Sequence, residues 1–255
     1  MRFDLDEQQR DFAASIDAAL AAADLPAAVR AWAAGDTAPG RKVWAQLADL
    51  GVTALVVPEK FDGIEAHPVD LVVAADGAVR DGVAGKQHES VDPSRKLFDV
   101  SASGEPRPAD VARAYEFGAL TTAAQLVGAG QALLDASVEY AKQRSQFGKV
   151  IGTYQAIKHK LADVHIAIEL ARPLVYGAAL SLADCASETA RDVSAAKVAA
   201  SDAALLAARS ALQTHGAIGF TQEHDMSLLL LRVQALRSAW GDPTWHRRRV
   251  LEALS

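Results

Sequence analysis

The chain turns at Arg144-Ser145-Gln146-Phe147-Gly148, a polar stretch with a glycine that separates two long alanine-rich segments. On both sides of it apolar residues recur every three to four positions, which is the period of one face of an α-helix. The residues that follow this period are Leu120, Ala123, Ala124, Val127, Leu134, Val138 and Ala141 before the turn, and Ile157, Leu161, Val164, Ile168, Ala171 and Val175 after it. The stretch therefore predicts two helices joined by a turn near Gly148.

Two more helical segments follow in the same part of the chain. A third helix is predicted over residues 189–214, with Gly216 as its end, and a fourth over residues 225–239, before Gly241. Four long helices with short connections are typical of an antiparallel bundle, and alanine faces let such helices approach closely. We therefore expect a mainly α protein whose carboxyl-terminal part is an antiparallel four-helix bundle.

The amino-terminal part has shorter patterns. A helix is predicted over residues 4–23, where Asp4 and Glu7 have the spacing of a capping pair. A second short helix is predicted over residues 41–50, with Gly51 at its end.

The helical period disappears between residues 76 and 100, where glycines alternate with valines as in a short β or irregular region. These patterns predict three parts. Residues 1–75 form a short helical segment, residues 76–105 a reduced β region and linker, and residues 106–255 the bundle.

Composition excludes several classes of protein. The 255 residues include 26 basic and 32 acidic side chains, and no lysine- or arginine-rich stripe favours binding to nucleic acid. The single cysteine, Cys185, excludes internal disulfides and zinc sites built from cysteine pairs. Because no uninterrupted apolar run approaches the length of a membrane span and a charged segment follows Met1, we expect no membrane segment or signal peptide and a cytoplasmic location.

Metal and hydrolase motifs are excluded in the same way. A di-iron bundle needs glutamate three residues before histidine on two helices. The residues three positions before the seven histidines are Ile64, Gly85, Ala156, Ala162, Leu212, Thr221 and Pro243, and none of them is acidic. The sequence also has no zinc-protease histidine pair, no nucleophile elbow, no phosphate-binding loop and no complete dinucleotide fingerprint, so no metal site is predicted.

The turn after residue 143 carries side chains that are suited to binding an anion. Arg144 stands directly before the bend, and Gln155 and His159 follow it one helical turn apart. A guanidinium at an exposed bend suits a pyrophosphate, because its planar fork donates two parallel hydrogen bonds to phosphate oxygens. An arginine near a helix end is also favoured by the helix dipole, and spacing alone favours that structural role.

A second stretch, Gln213-Thr214-His215-Gly216-Ala217-Ile218-Gly219-Phe220, ends the third helix. Glycine there is an ordinary helix cap, which spacing alone again favours. The alternative is functional, since the missing side chain admits a flat or phosphorylated ligand against the backbone.

Taken together, the two stretches resemble the acyl-CoA dehydrogenase family. Arg144 to Gly148, followed by Gln155 and Ala162-Asp163, is similar to the family's R-x-x-F-G…Q-x-x-x-x-x-x-A-D signature, and residues 213–220 are similar to its Q-x-x-G-G-x-G-[YF] motif with Ala217 in place of the second glycine. The resemblance extends to Leu55-Val56-Val57-Pro58-Glu59, to the amino-terminal helices and to residues 109–255.

The resemblance implies an acyl-CoA dehydrogenase type of bundle and FAD as cofactor, held at a subunit interface. It implies that Arg144, Gln146 and Phe147 contact the diphosphate of a flavin seated mainly in a neighbouring subunit, and that Gln213 and Gly216 contact its ADP portion. The implied reaction is α,β-dehydrogenation of an acyl-CoA thioester, in which a carboxylate removes the α-proton and a hydride passes to the flavin.

The sequence departs from the family at both positions that are known to supply this carboxylate. In the loop before the final helix, Gly241 stands at the aligned position, and Gly118 stands at the position on the first bundle helix, two residues from Glu116. Asp242 is a candidate base if the loop aligns one residue further on, although a Gly-Asp-Pro turn is the favoured interpretation. The usual base is therefore predicted to be missing.

A second departure concerns length. Roughly 75 residues and then roughly 30 stand where the family has a longer helical domain and a full β-barrel, and Val73-Ala74 has the look of a junction between them. Glu223-His224-Asp225 and the segment from Trp240 to Arg249 resemble an actinobacterial branch that degrades steroids and lipids, some members of which are α2β2 heterotetramers. In these, one type of subunit supplies the carboxylate and the other completes the FAD site.

We therefore expect this chain to be the non-catalytic subunit of such a complex, acting on an acyl-CoA that carries a steroid side chain. Three alternatives remain from the sequence. They are a self-sufficient homotetramer that uses Asp242, a helical scaffold that has lost FAD, and a flavin-dependent oxidase or monooxygenase on the same fold.

Overall fold

The computed structural model describes residues 6–55, 84–100 and 111–255. The chain divides into two compact units, Met1–Ala114 and Tyr115–Ser255. Two features of the sequence lie outside the described residues. They are residues 56–59, which follow Leu55 in the Leu55 to Glu59 segment, and the Val73-Ala74 junction.

The first unit begins with short helices. Their bounds are Glu7–Ala21 for α1, Leu25–Ala33 for α2 and Ala38–Asp49 for α3, and a single 3₁₀ turn, Val52–Ala54, follows. Ile16, Leu47 and Leu55 form their small buried core, with Phe12, Leu20, Val43 and Val52 packed against it. The helix α3 confirms the predicted second helix, whereas α2 was not predicted.

The cap of α1 corrects the sequence-based expectation. The helix begins at Glu7, and the carboxylate of Asp6 accepts the backbone N–H of Gln9 at 2.8 Å while the Gln9 side chain accepts the backbone N–H of Asp6 at 3.1 Å. The predicted pair, Asp4 and Glu7, is therefore wrong, and Asp4 itself lies outside the described residues. Asp6 is the cap because a reciprocal partner stands three residues after it.

A two-stranded antiparallel ribbon follows in the same unit. Strand β1, Ala84–His88, pairs with strand β2, Leu97–Val100, so that His88 lies opposite Leu97. The buried carboxylate of Asp92 accepts the N–H of Ser94 at 2.9 Å and stabilises the connecting turn. The predicted short β region is thus confirmed for the residues that the structure describes there.

The second unit is helical. Its main helices are α4 (Val111–Gln143), α5 (Gln155–Ala183), α6 (Thr189–His215), α7 (Met226–Ser238) and α8 (Pro243–Ala253), with 3₁₀ turns at Ile151–Thr153 and Gly216–Phe220. The four predicted helices are confirmed as α4 to α7. Helix α8, which begins at Pro243 with Asp242 as its capping residue, was not predicted from the sequence.

The core of this unit is built mostly from small side chains on α6. Fully or almost fully buried alanines line that helix at Ala196, Ala200, Ala203, Ala204, Ala207, Ala208 and Ala211. Larger side chains from α4 and α5 fill the space around them, among them Leu120, Leu126, Leu133, Val164 and Ile168. Because alanine leaves little bulk between helices, the backbones approach closely, as at Gly130, where a Cβ would lie 3.5 Å from the Ala204 Cα.

Two of the described helices are apolar enough to cross a membrane by length and composition alone. They are α5 and the part of α4 that begins at Ala112. The expectation of no membrane segment rested on the lack of an uninterrupted apolar run, which is a stricter criterion than hydropathy averaged along a helix, and it stays a prediction. Packing uses part of that apolarity, since 56% of the apolar stretch of α4 and 33% of that of α5 are buried. The buried residues of α5 are Val164, Ile168, Ala171, Val175, Ala178, Ala179 and Leu182.

Candidate functional site

The Arg144 stretch folds as a tight β-hairpin directly after α4. Strand β3, Ser145–Gln146, pairs with strand β4, Lys149–Val150, and the two-residue connection is Phe147-Gly148. Both connecting residues have positive φ, +54° for Phe147 and +81° for Gly148, as two-residue hairpins of type I′ require. The Phe147 side chain is 93% exposed at the tip.

Three contacts hold the hairpin against the helices. The backbone N–H of Ile151 donates to the carbonyl of Arg144 at 2.8 Å. The hydroxyl of Tyr154, the residue before α5, donates to the carbonyl of Gln146 at 3.1 Å, and the ammonium of Lys149 lies 4.3 Å from the centre of the Tyr154 ring. The exposed guanidinium of Arg144 thus extends from a hairpin whose backbone is fixed.

The second predicted stretch forms the end of α6. Gly216 ends the helix with a φ of +65°, and a Cβ built there would meet nothing within 4 Å. Gln213 is exposed and its side-chain oxygen accepts a hydrogen bond from the ammonium of Lys160 on α5. Bare backbone and an exposed amide therefore lie side by side at this helix end.

His215, which stands between Gln213 and Gly216 in the sequence, is buried. Its Nδ1 donates to the carbonyl of Ala211 at 2.9 Å, which leaves Nε2 as the acceptor of the ring. Burial lowers the pKa of His215, and the neighbouring His224, whose ring centre lies 5.2 Å away, adds to that effect. The imidazole is accordingly neutral at physiological pH.

Side-chain contacts bring the two stretches to one end of the bundle. The ring of Tyr140 on α4 stacks on the ring of His215 on α6, with 4.4 Å between centres and 26° between planes. Arg144 follows Tyr140 by one helical turn, and Gly216 follows His215 directly. Five predicted cofactor residues thus belong to one region: Arg144, Gln146, Phe147, Gln213 and Gly216.

This bundle end has the properties of an anion site. A guanidinium, two ammonium groups (Lys149 and Lys160), an amide side chain and an unobstructed helix end are all present there. A diphosphate is bound well by a forked cation together with backbone that no side chain covers. The donor set therefore fits the phosphate part of a dinucleotide.

The candidate base has a structural role in this fold. The carboxylate of Asp242 accepts the backbone N–H of Trp245 at 2.8 Å, which caps α8 and lowers the pKa of Asp242 more than any other contact. Removal of a proton from carbon calls for a carboxylate with a raised pKa in a dry cleft. Because Asp242 is exposed and has a lowered pKa, its geometry favours the cap.

Glu116, the acidic residue nearest to Gly118, is likewise engaged. Its carboxylate is buried and pairs with the guanidinium of Arg249 on α8 at 2.5 Å. The same guanidinium donates to the hydroxyl of Ser194 at 3.0 Å. Both carboxylate oxygens of Glu116 are engaged by this guanidinium, so the side chain is held in a structural contact and is poorly placed to reach a substrate.

Lys197 on α6 is an ionisable group in the core that was not predicted from the sequence. The side chain is fully buried, and its ammonium donates to the carbonyls of Leu236, Arg237 and Gly241 at 3.1–3.4 Å. Burial lowers the pKa of Lys197 to about 8. Its position four residues after Val193 and three before Ala200, on the buried stripe of α6, was the signal in the sequence that predicts burial.

An α-helical bundle with a cationic hairpin beside a bare helix end is the class of domain that the described residues define. Comparison with known families names it. The acyl-CoA dehydrogenase C-terminal domain matches residues 110–255, and the acyl-CoA dehydrogenase N-terminal domain matches residues 6–86. The chain belongs to the acyl-CoA dehydrogenase family.

Two relatives carry the name acyl-CoA dehydrogenase IpdE2. The protein from Mycobacterium tuberculosis is 37% identical over 162 residues, which are 63% of this chain and 49% of that protein. The protein from Mycolicibacterium smegmatis is 30% identical over 190 residues, or 73% of this chain and 59% of that protein. The chain thus spans only about half the length of these relatives.

A solved structure shares the fold over the whole chain. The ChsE4-ChsE5 complex from Mycobacterium tuberculosis aligns with a TM-score of 0.79 and 20% identity, covering 100% of this chain and 99% of that one. At this identity the likeness concerns the fold alone. It confirms the acyl-CoA dehydrogenase type of architecture predicted from the sequence.

Proposed function

We propose that this chain is a subunit of an FAD-dependent acyl-CoA dehydrogenase and that it completes the FAD site of a catalytic partner chain. The observation that carries the proposal is the outward presentation of the Arg144–Phe147 hairpin. A phenylalanine that is 93% exposed and in a left-handed backbone conformation is unfavourable for an isolated chain. A ligand seated mainly in another chain would cover it.

FAD, when bound, supplies the acceptor for a hydride from the acyl chain. The residues of this chain then have binding roles. Arg144 donates hydrogen bonds to the diphosphate, the Phe147 ring packs beside it, and Gln146 adds a polar contact. Gln213 and the open backbone at Gly216 receive the ADP portion, and the Tyr140–His215 stack holds the two groups of residues in register.

The assignment of catalysis to a partner rests on the carboxylates described above. Asp242 caps α8 with a lowered pKa, and Glu116 is paired with Arg249. Both arrangements favour structural roles over proton abstraction. A homotetramer that uses Asp242 is the alternative, and the cap geometry counts against it.

For the substrate we propose an acyl-CoA thioester with a steroid side chain. Its support is the likeness of two segments, Glu223 to Asp225 and Trp240 to Arg249, to the steroid-degrading branch of the family, together with the IpdE2 relatives. We propose an α2β2 assembly for the same reason, and a location in the cytoplasm as expected from the sequence.

A mixing experiment tests the cofactor role. The chain alone should bind little FAD and show no dehydrogenase activity, and addition of the partner isolated with it from its source should restore flavin absorbance and activity together. Arg144→Gln should reduce the flavin recovered in the mixture by at least tenfold, because a charge-assisted diphosphate contact is worth about 1.5–3 kcal/mol.

Lys142→Gln is the matched control, since Lys142 is exposed two residues earlier and pairs only with Glu139 at 2.6 Å among the contacts described. It should leave flavin recovery unchanged. Full activity of the purified single chain would refute the partner role. A mixture that stays colourless would favour a scaffold that has lost FAD, and oxygen consumption by the reduced flavin would favour an oxidase or monooxygenase.

A further inference from the structure

The two glycines at the family's base positions face one cluster of aromatic side chains. Gly118 lies on α4, and Gly241 lies in the turn before α8. Tyr115, Trp240, Trp245 and His246, called the aromatic cluster here, pack between them. The ring of Tyr115 lies 5.7 Å from that of Trp240 and 5.5 Å from that of Trp245, both edge to face.

Trp240 occupies the space above Gly118. A Cβ built on Gly118 would lie 2.5 Å from the Trp240 Cδ2 and 2.6 Å from its Cζ2, far inside contact distance. Even alanine at position 118 therefore requires the indole to move. Gly128, ten residues later on the same helix, has nothing within 4 Å of the equivalent position.

The rest of the aromatic cluster closes the space at Gly241. A Cβ there would lie 2.8 Å from the Tyr115 hydroxyl, 2.8 Å from the Trp245 ring and 2.9 Å from the His246 Nε2. Its φ of +95° also disfavours any residue with a side chain. Position 118 is therefore closed by Trp240, and position 241 is closed by Tyr115, Trp245 and His246.

The indole is held in place through its backbone. Trp240 has a φ of +55°, and its carbonyl accepts hydrogen bonds from the Tyr115 hydroxyl and from the His246 Nε2, the latter at 2.8 Å. The ammonium of Lys197 donates to the next carbonyl, that of Gly241, at 3.4 Å. These donors, of which His246 and Lys197 are fully buried, compensate for an unfavourable backbone conformation and fix the backbone of Trp240, whose side chain is 47% exposed.

We propose that the aromatic cluster excludes a catalytic carboxylate from both positions in this bundle, with Trp240 acting at position 118 and the other three side chains at position 241. The partner chain must then bring its own base. This inference rests on the proposed function and specifies what the partner contributes. It concerns packed side chains of this chain, so it can be tested without FAD.

A pair of glycine variants tests the packing. Gly118→Ala should lower the thermal unfolding midpoint of the full chain, whereas Gly128→Ala should maintain or raise it, because alanine favours a helix wherever it fits. In a Trp240→Ala background, Gly118→Ala should instead raise the midpoint. Equal effects of Gly118→Ala with and without the indole would overturn the proposal.

Indole added to the Trp240→Ala variant provides a direct probe of the vacated space. It should raise the unfolding midpoint of that variant and leave the wild-type midpoint unchanged, because a ligand that binds only the folded state of the variant stabilises that state. Gly118→Ala, combined with Trp240→Ala, should reduce the rise of the midpoint that indole causes. An equal response of the wild-type chain to indole would contradict the inference.

A measurement on nearly wild-type protein covers the case in which Trp240→Ala does not fold. The indole N–H resonance of Trp240 in the proton NMR spectrum can be assigned by its loss in Trp240→Phe. Its chemical shift should change in Gly118→Ala and remain unchanged in Gly128→Ala. An unmoved signal in Gly118→Ala overturns the proposal. If the mixture with the partner recovered no flavin while the glycine variants behaved as expected, the cofactor role would be refuted and the proposal on the aromatic cluster would stand.

Discussion

At the scale of single residues, Phe147 shows how the hairpin combines strain with exposure. A left-handed backbone is unfavourable for a residue with a large side chain, by about 1–2 kcal/mol. Because the Phe147 ring is 93% exposed, its packing contributes little that would offset this cost. Strained residues that the fold nevertheless retains are concentrated at binding sites.

We therefore expect opposite effects of Phe147→Asn on stability and on binding. Asparagine tolerates the left-handed region, so the free energy of unfolding of the variant should be about 1 kcal/mol higher than that of the wild type. The flavin recovered in a mixture with the partner should fall, because the ring is lost. Denaturant unfolding and flavin absorbance measure the two effects.

Phe147→Leu separates the ring from the backbone in this comparison. It keeps an apolar side chain and the strain, so it should be no more stable than the wild type. If Phe147→Asn lost stability, the strain argument would be wrong, and if it kept full flavin recovery, Phe147 would have no part in the cofactor site.

At the scale of elements, Lys197 joins α6 to the end of α7. The carbonyls of Leu236 and Arg237 belong to the last turn of α7, where backbone oxygens have no partner within the helix. An ammonium there satisfies these oxygens and complements the negative end of the helix dipole. Burial opposes the same charge, and so the pKa of Lys197 falls to about 8.

Lys197→Met should destabilise the fold by about 1–3 kcal/mol near neutral pH. Methionine fills a similar volume, but it removes the ammonium donor from the carbonyls of Leu236, Arg237 and Gly241. Among the described residues, only the carbonyl of Leu236 also accepts a backbone N–H, that of Ala239. Chemical denaturation of the full chain measures the change. Lys142→Met, at an exposed position on α4, is the control and should change the free energy of unfolding by less than about 0.5 kcal/mol.

A more stable Lys197→Met variant would show that the desolvation of the charge exceeds the value of its hydrogen bonds. That result is known for some buried ion pairs. In this chain it would also weaken the argument that Lys197 fixes the turn after α7.

At the scale of the whole molecule, a buried histidine makes folding depend on pH. His246 is fully buried, and its Nε2 donates to the carbonyl of Trp240 while Nδ1 meets the Ser194 hydroxyl at 3.1 Å. Burial is the largest cause that lowers the pKa of His246 to about 4 from its ordinary 6.5, and Lys197 and Arg249 lower it further. The folded state thus keeps His246 neutral over a range in which the unfolded chain binds a proton.

The sign of the effect follows from this difference in pKa. The contribution of His246 to stability is complete above pH 6.5 and is lost as the pH falls toward 4, by about 3 kcal/mol in total. His246→Gln should therefore show a shallower decline of the free energy of unfolding between these two pH values. Identical slopes in the wild type and the variant would mean that His246 titrates normally in the fold.

The helices and the cofactor motifs could be predicted from local patterns. A period of three to four residues predicted α4 to α7, and Arg144-Ser145-Gln146-Phe147-Gly148 predicted a turn, because these depend on neighbours in the chain. The short helices α2 and α8 were missed. Each has a proline in its first turn, which alone indicates either a helix start or a loop.

Periodicity and motif spacing by themselves determined the class of fold, the family resemblance and the absence of a glutamate at positions 118 and 241. Only the tertiary structure decided that the space beside those glycines is filled, that Asp242 is a helix cap and that Glu116 is paired with Arg249. The physical reason is distance along the chain. Trp240 lies more than a hundred residues after Gly118, and only the packing of α4 against the turn before α8 brings the indole to the bare backbone.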